Sequence, residues 1–198
     1  MNDAFDIRTW FLALAPLSYS PGPANVLFAA MGAAFGFKAS LPFLLGTISI
    51  SLIQTALIGL GVGIAANQSR FVTVALNWGG VLVLLYFAFR FFRAEVANRA
   101  VSVPLSFREG VVLQILNGKF LLIPTVMFSL FLDPGSSDMA QVLGLTGALA
   151  ALTLSANLLW VAGGRVLSSV VEEEWFAKVQ GMIFGTILVA TALWIALS

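Results

Sequence analysis

Apolar residues run along the chain in six long blocks, at about 7–37, 40–66, 71–92, 108–132, 139–167 and 175–197, with short polar or charged segments between them. A helix needs about 20 mostly apolar residues to cross the roughly 30 Å hydrocarbon core of a bilayer. The pattern therefore predicts an all-α integral membrane protein with six transmembrane helices. Two blocks carry an interruption. In the first, Ser20-Pro21-Gly22-Pro23-Ala24-Asn25 sets two prolines and a glycine in mid-run. Proline deletes a backbone donor and clashes with the preceding turn, and glycine weakens a helix interior. The fourth block carries Gln114-Ile115-Leu116-Asn117-Gly118-Lys119-Phe120 and, further on, Pro124. Each is expected to form two half-helices. Lipid cannot satisfy the freed backbone groups, so a break inside a bilayer is tolerated only where it is buried in protein or lines a wet cavity.

Composition strengthens the membrane reading. The chain is 60% hydrophobic and 10% charged, against roughly 45–50% and 25% in soluble domains. Its 198 residues suffice for six spans with short connections, so one transporter domain over 1–198 is expected. Cysteine and histidine are absent, which removes disulfides, thiol chemistry and the commonest metal ligands. No metal and no cofactor are expected. The net charge of +1, with no basic patch outside the connecting loops, gives no sign of a nucleic-acid partner. Asp3 and Asp6 stand where a secretory signal has basic residues, and the first apolar run is too long for a signal core, so the first segment is expected to be retained.

The basic residues set an orientation. Arg8 and Arg70 fall on one side of the alternating spans, while Lys38, Arg90, Arg93, Arg99, Arg108, Arg165 and Lys178 fall on the other, and Lys119 lies inside the fourth span. The richer side is expected to be cytoplasmic, which puts both termini outside. The aromatic and arginine-rich end of the third span, "LLYFAFRFFR", is the interfacial pattern of an aromatic belt followed by basic anchors.

The longest connection, about 94–107, divides the chain into halves of about 1–93 and 108–198. Three spans per half give two similar halves opposite orientation, and each half opens with a broken span. Corresponding interruptions in two halves point to a transporter's binding site. The expected architecture is two inverted three-helix repeats with broken first and fourth helices. Gly32/Gly36, Gly59/Gly63 and Gly181/Gly185 have the small-xxx-small spacing that lets helices approach closely. Most are expected to pack within the monomer, and one, on the sixth span, is a candidate homodimer contact.

The pairing of "SPGPAN" near the start with "SFREG" and "LQILNGKF" opening the second half resembles the amino-acid exporters of the LysE/RhtB family, the lysine, homoserine and threonine exporters. Length and six-block hydropathy match as well. The family's Pro-Gly-Pro-Asn corresponds to Pro21, Gly22 and Pro23, with Ala24 inserted before Asn25. Its Asn-Pro-Lys-Ala corresponds to Asn117-Gly118-Lys119-Phe120, with glycine in place of proline. The resemblance implies efflux of amino acids across the bacterial cytoplasmic membrane. Two departures follow. Where many members carry acids in the second and fifth spans, this chain has Ser51 and Asn157, and all nine of its acidic residues lie at termini, loops or span ends. That speaks against export of a cationic amino acid and against a carboxylate proton relay.

The chemistry of the breaks follows from the residues alone. A half-helix N-terminus presents backbone donors and a positive dipole end, which suits a carboxylate. The first break, Pro21, Gly22 and Pro23, supplies one such end, the second, at Gly118, supplies another, and Lys119 adds a full charge. The amides of Asn25, Gln114, Asn117, Gln54 and Asn157, with unwound carbonyls, are candidates for an ammonium group. The expected substrate is a small neutral amino acid or related metabolite. Bland readings stand beside these: the prolines as kinks, the asparagines as interhelical hydrogen bonds of about 1 kcal/mol, and Lys119 reaching for the surface. Lys119 lies eleven residues past Arg108, about 16 Å of helix, too deep to reach the surface easily. A lysine near the helix centre costs about 2.5–3.5 kcal/mol, so a role in coupling is a further candidate. The alternatives are a transporter or channel for another small solute without active coupling, and a membrane enzyme. The first wants acidic, histidine or cysteine ligands in the spans, the second a titratable pair, and the chain offers neither.

Overall fold

The computed structural model describes residues 6–20, 22–66, 70–92, 103–133, 139–164, 166 and 173–197. They form seven helices: α1 (Ile7–Tyr19), α2 (Pro23–Ala66), α3 (Arg70–Phe92), α4 (Phe107–Ile115), α5 (Gly118–Phe131), α6 (Met139–Ala162) and α7 (Glu174–Leu197). No strand occurs among the described residues. The expected linker at 94–107, the polar segment at 134–138, Pro21 and Arg165 lie wholly or largely outside them.

Asp6 opens α1 by accepting from the Arg8 N–H at 3.0 Å and from the Thr9 hydroxyl. These two donors, Thr9 foremost, hold its carboxyl below the usual aspartate range. The helix ends at Ser20, whose φ of −63° and ψ of 150° are extended, and α2 begins three residues later. The α2 helix is not straight. At Gly36 φ is 80° and ψ is 175°, a conformation open to glycine because it has no Cβ. Phe28 and Phe43 would be about 22 Å apart on one regular helix, yet their ring centroids are 4.9 Å apart, so the chain folds back on itself at Gly36. This corrects the expectation that Gly36 is a packing residue: a Cβ there would meet nothing within 4 Å.

The fourth block breaks where its sequence predicts. Ser106 caps α4, its N–H donating to Glu109 Oε2 at 2.6 Å, and the helix stops at Leu116 before α5 starts at Gly118. Pro124 does not interrupt it further, because α5 runs through to Phe131. The helix of the fifth block, α6, covers Met139–Ala162, and Leu167, the expected end of that block, lies outside the described residues. By length and composition two stretches of the described residues are able to cross a membrane, Ala24–Val62 (39 residues) and Met139–Ala162 (24 residues). They become three when Phe107–Ile115 and Lys119–Phe131, bent by 60°, are taken as one span.

The α2 helix packs on α6, α4 and α5, and α3 on α7 and α5, with α1 against α5, α6 and α7. Backbones approach closely at two seams. A Cβ on Gly46 would lie 2.1 Å from the Phe107 carbonyl oxygen and one on Gly110 would lie 2.3 Å from that of Phe43, so α2 and α4 touch backbone to backbone. The first segment of α2 meets the end of α6 in the same way, through Gly32 and Gly164. One apolar cluster gathers Trp10, Leu14, Leu17, Ile123, Met127 and Leu149, and a second gathers Val26, Phe28, Phe43, Leu44 and Trp160. Outward, Leu57, Trp78, Leu82 and Trp194 are more than half exposed, an apolar exterior that suits lipid rather than water.

Candidate functional site

The two breaks meet between those clusters. A helix leaves its last four carbonyls without intrahelical donors, and at the end of α1 every one has a partner. The Pro16 carbonyl accepts from the Ser20 N–H at 3.1 Å, and Leu17 from the Ser20 hydroxyl at 3.1 Å. Ser18 accepts from Asn25 Nδ2 at 2.8 Å, and Tyr19 from Trp160 Nε1 at 3.0 Å. The next carbonyl, Ser20, takes two donors, Asn25 Nδ2 at 2.9 Å and Lys119 Nζ at 3.2 Å. Lys119 Nζ also donates to Ser20 Oγ at 2.6 Å. A lysine from the second break is thus seated on the negative end of the helix before the first break, where a cation is favoured.

Gly22 makes room for it: a Cβ there would come within 3.2 Å of Lys119 Nζ. On the other side, α6 holds the end of α1 through Trp160 and through a 2.8 Å contact between the hydroxyls of Tyr19 and Ser155. Asn25 spends both amide donors on carbonyls, which leaves its Oδ1 as the group able to meet a ligand.

A cavity of about 30 Å³ lies at this junction, lined by Ser18, Gly22, Asn25, Gln114, Asn117, Lys119, Thr153 and Asn157, with Leu17, Phe28, Phe120 and Ile123 as its apolar wall. That is room for a water or a group of similar size, far below the roughly 300–1,000 Å³ of pockets that enclose drug-sized ligands. Three of the lining side chains are buried and carry a polar atom without a partner: Ser18 Oγ, Gln114 Nε2 and Thr153 Oγ1. They come from α1, α4 and α6. No acid lines the cavity.

Lys119 and Asn117 also line a second, open groove of about 840 Å³ between α2 and α4, walled by Leu27, Phe43, Leu113 and Leu116 and reaching Ser106, Arg108 and Glu109. Asn117 begins α5 without a side-chain cap bond, so its amide remains on the wall between cavity and groove.

Of the residues expected from sequence, Gly22, Asn25, Gln114, Asn117, Lys119 and Asn157 line the cavity together. Pro23 and Gly118 open the two helices that begin beside it. Gln54 does not line it, and its Oε1 is buried without a partner elsewhere on α2. Ser18, Ser20, Thr153 and Trp160 were not expected as site residues. Thr153 was detectable: it is four residues before Asn157 on a helix, which places both on one face.

Two comparisons bear on this arrangement. A protein named cysteine/O-acetylserine efflux protein from Klebsiella pneumoniae subsp. pneumoniae is 30% identical over 150 residues, covering 74% of this chain and 76% of that protein. One of the same name from Escherichia coli (strain K12) is 22% identical over 176 residues, covering 88% of this chain and 89% of that protein. No solved structure matches the chain. The family model of LysE type translocators matches residues 15–198. Two half-helix junctions, a lysine between them and a match over nearly the whole length agree, and the chain belongs to the LysE type translocator family.

Proposed function

We propose that the protein exports small neutral amino acids, or metabolites of the same zwitterionic form, from the cytoplasm. The observation that carries this is the acid-free junction of the two broken helices, where Lys119 and three unpaired polar side chains converge on one cavity. A cationic amino acid brings a side-chain charge for which the lining offers no carboxylate, and a charge left unpaired away from water is expensive. The relatives' names fit, since cysteine and O-acetylserine are both α-amino acids without net charge.

The transporter reading carries with it six spans in two inverted halves. Taken as passes, α1 with the first segment of α2 corresponds to α4 with α5, the second segment of α2 to α6, and α3 with 23 residues to α7 with 24. The Gly36 reversal, next to the end of α6, brings Lys38 to the same side as the start of α4 with Arg108. That side is the cytoplasmic one by its basic residues, both termini being outside. The open groove from Arg108 to Lys119 then faces the cytoplasm, as an exporter awaiting substrate requires. The 30 Å³ cavity must widen before an amino acid enters, so the arrangement corresponds to one state of an alternating-access cycle.

The test is efflux from loaded vesicles over a panel of neutral, basic and acidic amino acids, with and without a proton gradient. Neutral amino acids leaving fastest is the expected result. Lysine or arginine leaving fastest, or no amino acid at all, would overturn the proposal.

A further inference from the structure

Lys119 occupies a site that is complete without it. Ser20 O keeps a donor from Asn25 when Lys119 is removed, and Ser20 Oγ keeps its bond to the Leu17 carbonyl. The lysine is therefore not needed to satisfy the backbone at the break, and its departure leaves no orphaned carbonyl. What remains is a carbonyl and a hydroxyl side by side at the negative end of α1, fixed by Asn25 and by Trp160 on the neighbouring carbonyl, and spaced to take one –NH3+ group. Beside it lie Ser18 Oγ, Gln114 Nε2 and Thr153 Oγ1, each at least nine-tenths buried, unpaired, and able to donate toward the same small cavity. These three donors have no acceptor among the described residues.

We infer that Lys119 is a tethered stand-in for the substrate's amino group: its ammonium fills the amine subsite on Ser20 O and Oγ until an amino acid displaces it. The incoming carboxylate takes the donors of Ser18, Gln114 and Thr153 and draws Lys119 Nζ onto itself, and the substrate ammonium takes the vacated place on Ser20. Lys119 lines both the cavity and the groove, so the swing it needs is between two walls it already touches. The exchange conserves charge. One cation sits on Ser20 before and after, and the second cation, now Lys119, is matched by the carboxylate. A neutral zwitterion closes this exchange, a dibasic amino acid leaves a charge over, and a simple amine has no carboxylate with which to move the lysine.

This rests on the reading of the protein as an amino-acid exporter, but its first test uses no amino acid, so the two fail separately. Thermal unfolding of the purified full chain in detergent is followed with ethylammonium or with tetramethylammonium, which has the same charge and no N–H donor. Lys119→Met should be stabilised by ethylammonium alone, the wild type by neither, and the Lys119→Met/Ser20→Ala double variant by neither. No response in Lys119→Met, or an equal response in the wild type, overturns the inference.

Should Lys119→Met not fold, Ser20→Ala decides the matter in the native background. Its affinity for serine should stay nearly unchanged, because Lys119 loses in the empty protein the same bond that the substrate ammonium loses in the bound one. Its affinity for 3-hydroxypropionate, the same molecule without the amino group, which displaces Lys119 and leaves Ser20 unfilled, should rise roughly tenfold, the size expected for one hydrogen bond to a charged group. Equal change for both ligands, or no change for 3-hydroxypropionate, means that ammonium groups do not exchange on the Ser20 hydroxyl, and either result overturns the assignment.

Discussion

Thr153 carries a buried hydroxyl with no partner, an arrangement that costs about 1–3 kcal/mol in a folded protein. Thr153→Val keeps the shape and removes the hydroxyl. Stability in detergent is expected to rise by about 1 kcal/mol, while affinity for a neutral amino acid falls, the opposite movement that marks a group kept for a ligand. A fall in stability instead would mean that the hydroxyl is structurally paired. Asn25 should behave the other way. Asn25→Leu strips its donors from the Ser18 and Ser20 carbonyls; Ser20 O keeps Lys119 Nζ, and leaving the Ser18 acceptor buried and unpaired is expected to cost about 1–3 kcal/mol, read as a lower unfolding temperature. Asn25, Asn117 and Lys119 were legible in the sequence because polar residues beside a proline or glycine break in an apolar run are costly and rare. Ser18 was not, because a lone hydroxyl residue is ordinary in an apolar helix and only burial without a partner sets it apart; Thr153 offered only its four-residue spacing from Asn157. The direction of Lys119 was also hidden: the sequence places it near two helix N-termini, whereas the fold seats it on a C-terminus.

Among the elements, the broken helices were the most legible feature, since Pro21, Gly22, Pro23 and Gly118 leave little choice of where the backbone can stop being helical. The end of the first block at about 37 agrees with the reversal at Gly36, but the packing role expected of Gly36 does not hold, because a Gly-xxx-Gly spacing carries no sign of φ. One close seam does use an expected glycine, Gly32, against Gly164; the other is built on Gly46 and Gly110, which no spacing rule pairs because they lie in different halves. Gly110→Ala places a methyl 2.3 Å from the Phe43 carbonyl oxygen and must push α4 off α2. The expected outcome is loss of the monodisperse detergent-solubilised species on size-exclusion chromatography. Gly61→Ala, with nothing within 4 Å, is the control and should be neutral or stabilising by about 0.5–1 kcal/mol. If Gly110→Ala behaves like Gly61→Ala, the seam that walls the groove is not as described.

For the whole molecule, six apolar blocks and a biased distribution of lysine and arginine carry the proposed topology, and residues of the two breaks line one cavity. What the sequence withholds is how far the site is closed, which depends on side chains from α1, α4 and α6 converging to about 30 Å³. The orientation predicts that a reporter fused after Ser198 is active only outside the cytoplasm. With no native cysteine in the chain, a single Leu113→Cys on the groove wall should react with an impermeant thiol reagent supplied from the cytoplasmic face and not from the outer face. The central claim is that an acid-free junction carrying Lys119 moves neutral zwitterions. Its most direct test is the initial rate of efflux of labelled serine from proteoliposomes, with unlabelled competitors inside, in the wild type and in Lys119→Met. The expected result is export that unlabelled neutral amino acids inhibit and lysine does not, falling at least tenfold in Lys119→Met. Export that lysine inhibits best, or a Lys119→Met rate equal to the wild type, would contradict it.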